Sequence, residues 1–188
     1  MTDDDPPKTR ALDAAIHKYL PKTLAPMLRP EFAGDDASIA EIESALCRDI
    51  STDYRALASW SDGAEPPDKS HPLWHVFGGW DLMAPQDFAE TIDDYPDWPN
   101  HLEPFLMSQC GGELWCIDRE RRDSVVLLEH DGGAKYRVTK LLYPSLASFV
   151  EAWTKAIRTV TDDSVDEEAR ELWLDLEHPK GYPKRLTK

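Results

Sequence analysis

Six histidines and three cysteines carry the most obvious chemistry in this chain, and their spacing argues against a catalytic use. His71 and His75 stand at i and i+4, the spacing at which a helix offers two imidazoles to one metal ion. Pro72 falls between them inside a proline-rich stretch, and no Cys is near enough in sequence to complete a tetrahedral set. Cys110 precedes Gly111-Gly112 at a strand end. Nucleophilic catalysis needs a base within hydrogen-bond reach, and nothing in the sequence places a His beside it. His130 with Asp131 reads as a hairpin turn. The acid pairs Asp93-Asp94 and Asp162-Asp163 lie in hydrophilic surroundings, whereas a general acid needs burial to raise its pKa. Gly78-Gly79, Gly111-Gly112 and Gly132-Gly133 are isolated pairs, and neither G-x-G-x-x-G nor G-x-x-x-x-G-K-[ST] occurs. The residues therefore predict a non-enzymatic chain with no catalytic, cofactor-binding or metal-binding site.

Binding is the remaining chemistry, and the aromatic and acidic residues bear on it. Trp60, Trp80 and Trp115 fall in core-like runs. Trp74 and Trp98 lie in loops among prolines and acids, where a Trp either anchors an interface or covers a minor core. Residue type and position near turns single out Asp62, Trp74, Trp80, Asp81, Asp94 and Trp98 as the candidate partner-binding set. The formal charge is -15, from 36 acidic and 21 basic residues. That charge disfavours a phosphate backbone, which needs clustered Lys and Arg, and an anionic membrane surface. It would speed association with a basic protein partner, and it also serves solubility.

The elements that must hold these residues follow from periodicity. A leader (residues 1 to 8) precedes a helix over Thr9 to Leu20, and a proline-rich stretch runs to Ala33. Ser38 with Glu41 forms an S-x-x-E capping box ahead of Ile39, Ile42 and Leu46. A second helix spans Thr52 to Ser61 with Tyr54, Leu57 and Ala58 on one side, ended by Gly63. Residues 64 to 76 form a loop, FGGWDLM a short strand, and Pro85 opens a helix that buries Phe88 and Ile92. Asp93 to Pro104 is too rich in proline for regular structure. Phe105–Ser108, Leu114–Asp118, Val125–Glu129, Tyr136–Val138 and Lys140–Leu142 then read as strands of a meander split by glycine turns. Ser145 caps a helix to about Thr159 with Leu146, Phe149, Val150 and Trp153 inward. Ser164 with Glu167 starts a last helix to Glu177, followed by a loose basic tail. Cys47 and Cys116 sit in apolar runs and read as buried thiols.

The odd cysteine count without C-x-x-C suggests no disulfide framework. No signal peptide and no apolar run of membrane-spanning length is visible, so the chain reads as cytoplasmic. The expected fold is α+β, an antiparallel meander of about four to six strands with helices packed at one face. The expected divisions are an N-terminal extension (1–35), a main domain (36–160), and a C-terminal helix with a basic tail (161–188).

Several motifs, in order, resemble the SUKH superfamily of cell-wall-assembly regulators and bacterial toxin-immunity proteins. Ile42-Glu43-Ser44-Ala45-Leu46 stands for its first helix, and Ile50-Ser51-Thr52-Asp53-Tyr54 with DYRALASWSDG for its second motif. FGGWDLMAPQDFAE looks like its strand-then-helix, LWCIDRE and SVVLLEHDGG like its paired strands, and SLASFVEAW like its closing helix. The likeness covers about residues 38 to 157. It departs at Ile50-Ser51, where the family has Leu-Pro, and at Asp62-Gly63-Ala64, where it has Gly-Gly. The resemblance implies a binding scaffold without catalysis. It further implies an immunity protein that neutralises a cognate toxin, such as a basic nuclease domain, or alternatively a regulatory scaffold with no toxin partner.

Overall fold

The computed structural model describes residues 36–60, 80–95, 97–108, 112–130, 136–157 and 178–186. Outside them lie the expected helices over Thr9–Leu20 and from Ser164, the Gly63 helix end, the loop 64–76, His71, His75, Cys110 and the turn at Asp131–Gly133.

Four α-helices are described: α1 (Asp36–Leu46), α2 (Thr52–Trp60), α3 (Pro85–Asp94) and α4 (Leu146–Ile157). Six strands accompany them: β1 (Trp80–Leu82), β2 (Leu102–Ser108), β3 (Glu113–Asp118), β4 (Ser124–His130), β5 (Tyr136–Tyr143) and β6 (Lys184–Arg185). They form one antiparallel sheet in the order β1-β2-β3-β4-β5-β6. Sequence order and spatial order coincide, which makes the sheet a meander and the fold α+β, as the grouping of strands between helices predicts.

The helices form where the apolar spacing demands. In α4, Leu146, Phe149, Val150 and Trp153 are all buried, and the Ser145 hydroxyl accepts the Ser148 N–H at 3.2 Å as the N-cap. Phe149 stacks on Trp153 and meets Phe105, Trp115 and Tyr143 of the sheet at ring-centroid distances of 5.4 to 5.6 Å. Pro85 opens α3, and the Asp87 carboxylate accepts the Ala84 N–H at 3.0 Å. Its buried Phe88 meets Tyr54 of α2 edge-on at 5.5 Å. In β3 every residue from Leu114 to Asp118 is buried. Successive side chains alternate faces, so both faces of the sheet are covered there.

Five expectations are corrected. The helix at Ser38 begins at Asp36, so Ser38 lies within the first turn and not at the cap. The stretch Asp93–Pro104 is not irregular throughout: α3 runs to Asp94 and β2 starts at Leu102. Pro104 is tolerated because the register with β3 shifts between Pro104 and Leu106, a bulge where a missing N–H costs no ladder bond. Cys47 is exposed, because it stands just past the end of α1. Part of the basic tail is ordered as β6 against β5, whose edge supplies backbone partners whatever the side chains. The two short strands expected within Tyr136–Leu142 are one strand carrying a register shift.

Candidate functional site: a buried carboxylate clamp and an acidic helix face

The most connected polar group in the described residues is Glu103. It sits in β2 and is fully buried. Its Oε1 accepts from Arg48 Nη1 at 2.6 Å and from the Ser51 N–H at 2.9 Å. Its Oε2 accepts from the Ser51 hydroxyl at 2.5 Å, and Arg119 Nη1 stands 3.5 Å away. A buried carboxylate needs such pairing, since its desolvation is otherwise very costly.

Local chain geometry delivers each partner. Past α1, Cys47 turns left-handed with φ 53°, while the Cys47 N–H bonds to Ser44 O and the Arg48 N–H to Glu43 O, each at 3.2 Å. That is a Schellman ending. It reverses the chain and brings Arg48 back, where Arg48 Nε also donates to Asn100 O at 2.5 Å. Ser51 is the N-cap of α2, accepting the Tyr54 N–H at 2.9 Å. The Glu43 carboxylate accepts the Ile50 N–H at 3.1 Å and pairs with Arg55 at 2.5 Å, closing the α1–α2 link from the other side. Arg119 is placed by its own N–H, which donates to His101 O at 2.9 Å. Its guanidinium also meets Asp123 at 2.9 Å.

A second buried carboxylate, Asp118, lies opposite Leu102 on β3. It accepts the backbone N–H groups of Glu120 and Arg121 at 3.0 and 3.2 Å and pairs with the Arg121 guanidinium. It thereby caps a 3-10 turn over Arg119–Arg121. Burial, followed by these two carboxylates, pushes the Cys116 thiol well above its usual range. Burial first, then Glu103 and Asp87, does the same to the Tyr54 phenol.

Chemically the cluster is a clamp. Glu103 has its acceptor positions occupied by protein donors and faces no open space, so it fastens the α1–α2 hairpin to the sheet. Among the described residues no group of three or more His, Cys, Asp or Glu could hold a metal ion. No described helix is long and apolar enough to cross a membrane. Near the clamp Arg55, Arg119, Arg121 and Arg122 reach solvent, whereas the exposed charges of α3 are acidic. Asp87, Glu90 and Asp94 are exposed along α3, and Asp97 follows them.

The candidate partner-binding residues are distributed unevenly on this frame. Asp62 and Trp74 lie outside the described residues. Trp80 and Asp81 belong to β1, in register with Ser108 and Met107 of β2. Asp94 is exposed at the end of α3. Trp98 is corrected from interface anchor to core residue. It is 5% exposed, its indole N–H donates to Leu102 O at 3.2 Å, and its ring packs edge-on against Phe88 and Tyr136. Glu103, Arg48 and Ser51 stand outside the residues whose types and spacing single them out for chemistry. A lone Glu inside the apolar run Leu102–Met107 was the available signal, as was a Ser directly ahead of a helical apolar pattern.

No curated protein matches the chain. The sequence model of the SMI1 / KNR4 family (SUKH-1) matches residues 34–152. This span runs from the start of α1 to within α4 and takes in the clamp and the sheet from β1 to β5, so the chain belongs to the SMI1 / KNR4 family (SUKH-1).

Proposed function

We propose that this protein is a non-catalytic binding module, an immunity protein that neutralises a cognate bacterial toxin by covering its active surface. Family membership supports a protein-binding role. The observation that carries the choice of partner is charge: a net -15 for the chain, with Asp87, Glu90, Asp94 and Asp97 exposed together on and after α3. A nuclease domain is basic because it grips phosphate, and a rigid acidic surface can stand in for that polyanion. The contact set for this reading is Asp94 with its acidic neighbours on α3, together with Asp62, Trp74, Trp80 and Asp81.

The test is titration of the full chain against a toxin domain encoded beside it, at several salt concentrations. The expected result is a tight 1:1 complex whose association slows as salt rises. Asp87→Lys with Glu90→Lys should slow it further. Absence of a complex with any neighbouring toxin overturns the reading and leaves the regulatory-scaffold alternative.

A further inference from the structure

The outer edge of β5 belongs to the family-matched part of the chain, but what covers it does not. The match ends at residue 152, and the covering strand β6 lies at Lys184–Arg185. The cover is thin. Two register pairs, Lys140↔Arg185 and Leu141↔Lys184, are extended by one bond from the Leu186 N–H to Thr139 O at 3.1 Å. His178 adds a ring contact with Tyr143 at 5.0 Å. Both residues of β6 are exposed, and short exposed pairings of this kind open at low free energy.

The charge pattern of the cover is unfavourable. Lys140 and Arg185 are directly opposite, so their side chains emerge on the same face of the sheet. Like charges in that relation repel. Neither residue forms an ion pair among the described residues. Lys184 lies over the Tyr182 ring at 4.6 Å, and Lys180 is also exposed. A chain with 36 acidic residues thus covers its own sheet edge with a basic strand set against a basic position.

We infer that the β5 edge over Thr139–Leu141 is a docking site for an extended acidic segment of another protein, which displaces the β6 strap and adds as a strand. An incoming Glu or Asp opposite Lys140 would turn the repulsive cross-strand pair into an attractive one while keeping the same backbone bonds. Main-chain pairing would supply affinity and the acid opposite Lys140 the selectivity, as in other strand-addition complexes. This site is separate from the acidic α3 face and does not depend on the toxin reading.

The test uses the full chain and a blocked six-residue peptide, Thr-Glu-Val-Glu-Val-Thr, beside its counterpart with Lys for Glu. Binding is followed by NMR together with amide exchange at Leu186 and at Thr139–Leu141. The expected result is about fivefold tighter binding of the Glu peptide, from the reversed cross-strand charge pair. Protection should be lost at Leu186 and kept at Leu141. Lys140→Glu should invert the peptide preference. Arg185→Glu should increase Leu186 protection and weaken the Glu peptide, with the fold unchanged in both variants. The inference is overturned by no binding, by equal binding of the two peptides, or by binding that leaves Leu186 protected. It is also overturned if the edge opens to pair with a second copy of the chain, seen as slower tumbling at high concentration without peptide.

Discussion

The Ser51 hydroxyl donates to Glu103 Oε2 at 2.5 Å and accepts the Tyr54 N–H at 2.9 Å. One side chain therefore starts helix α2 and ties it to strand β2, 52 residues further along the chain. The two bonds need each other. Without Glu103 the hydroxyl is free to rotate, and without the hydroxyl a buried carboxylate oxygen loses its donor.

Ser51→Ala should therefore cost more than an ordinary cap. Loss of an N-cap costs about 1 kcal/mol, and a buried acceptor left unsatisfied about 1–3 kcal/mol. A total of about 2–4 kcal/mol is expected from urea denaturation. Arg119→Ala should cost less, since Arg119 is 37% exposed and stands 3.5 Å from Glu103. Equal losses in the two variants would show that Ser51 is no more than a helix cap.

The contrast between α4 and the clamp shows which features a sequence can disclose. Leu146, Phe149, Val150 and Trp153 announce their helix because the apolar repeat and the pitch are both local. The strands were legible for the same reason, as short apolar runs between glycine turns. Glu103 was not, because its partners Arg48 and Ser51 lie more than fifty residues away and meet it only after the hairpin and sheet have formed. Pro104 misled because composition does not reveal a bulge, and β6 because two basic residues become a strand only beside an edge that accepts them. Trp98 misled because loop position does not say which way a ring turns.

Cys47 occupies the position after α1 where Gly is favoured, with φ 53° and a Schellman bonding pattern. A left-handed non-Gly residue is strained by roughly 1 kcal/mol. Cys47→Gly relieves that strain but loosens the unfolded chain, so a net gain of about 0.5 kcal/mol is expected. Cys47→Val, β-branched and worse in this conformation, should be destabilising by more than 1 kcal/mol. If both variants melt with the parent chain, the turn geometry at Cys47 is not what ends α1.

Of the two described cysteines, this one should be the readily modified thiol. Cys47 is exposed, while Cys116 is buried with its pKa pushed up by burial and by Asp118 and Glu103. Only thiolate reacts. Iodoacetamide at pH 8 should label Cys47 within minutes and leave Cys116 intact until denaturant is added, as read by peptide mass spectrometry. Native labelling of Cys116 would mean that the sheet interior opens far more often than its burial allows.

Tyr54 and Tyr143 are buried, and burial pushes both phenols above their ordinary value of 10.0. Neutral phenol is thus the native form. A raised folded-state pKa supplies stability that is complete below the unfolded value and is lost as pH climbs past it toward the folded one. Alkaline titration should therefore destabilise the protein from about pH 10 upward, with part of the 295 nm phenolate signal appearing only as the far-UV circular dichroism collapses. The Tyr143 hydroxyl is buried with no hydrogen-bond partner among the described residues, so removing it costs no bond to them. Tyr143→Phe should be neutral to about 1 kcal/mol stabilising at pH 7 and should shift the alkaline midpoint upward. A variant that loses stability at pH 7 would mean that the hydroxyl has a partner, and an unmoved alkaline midpoint would place the limiting titration elsewhere.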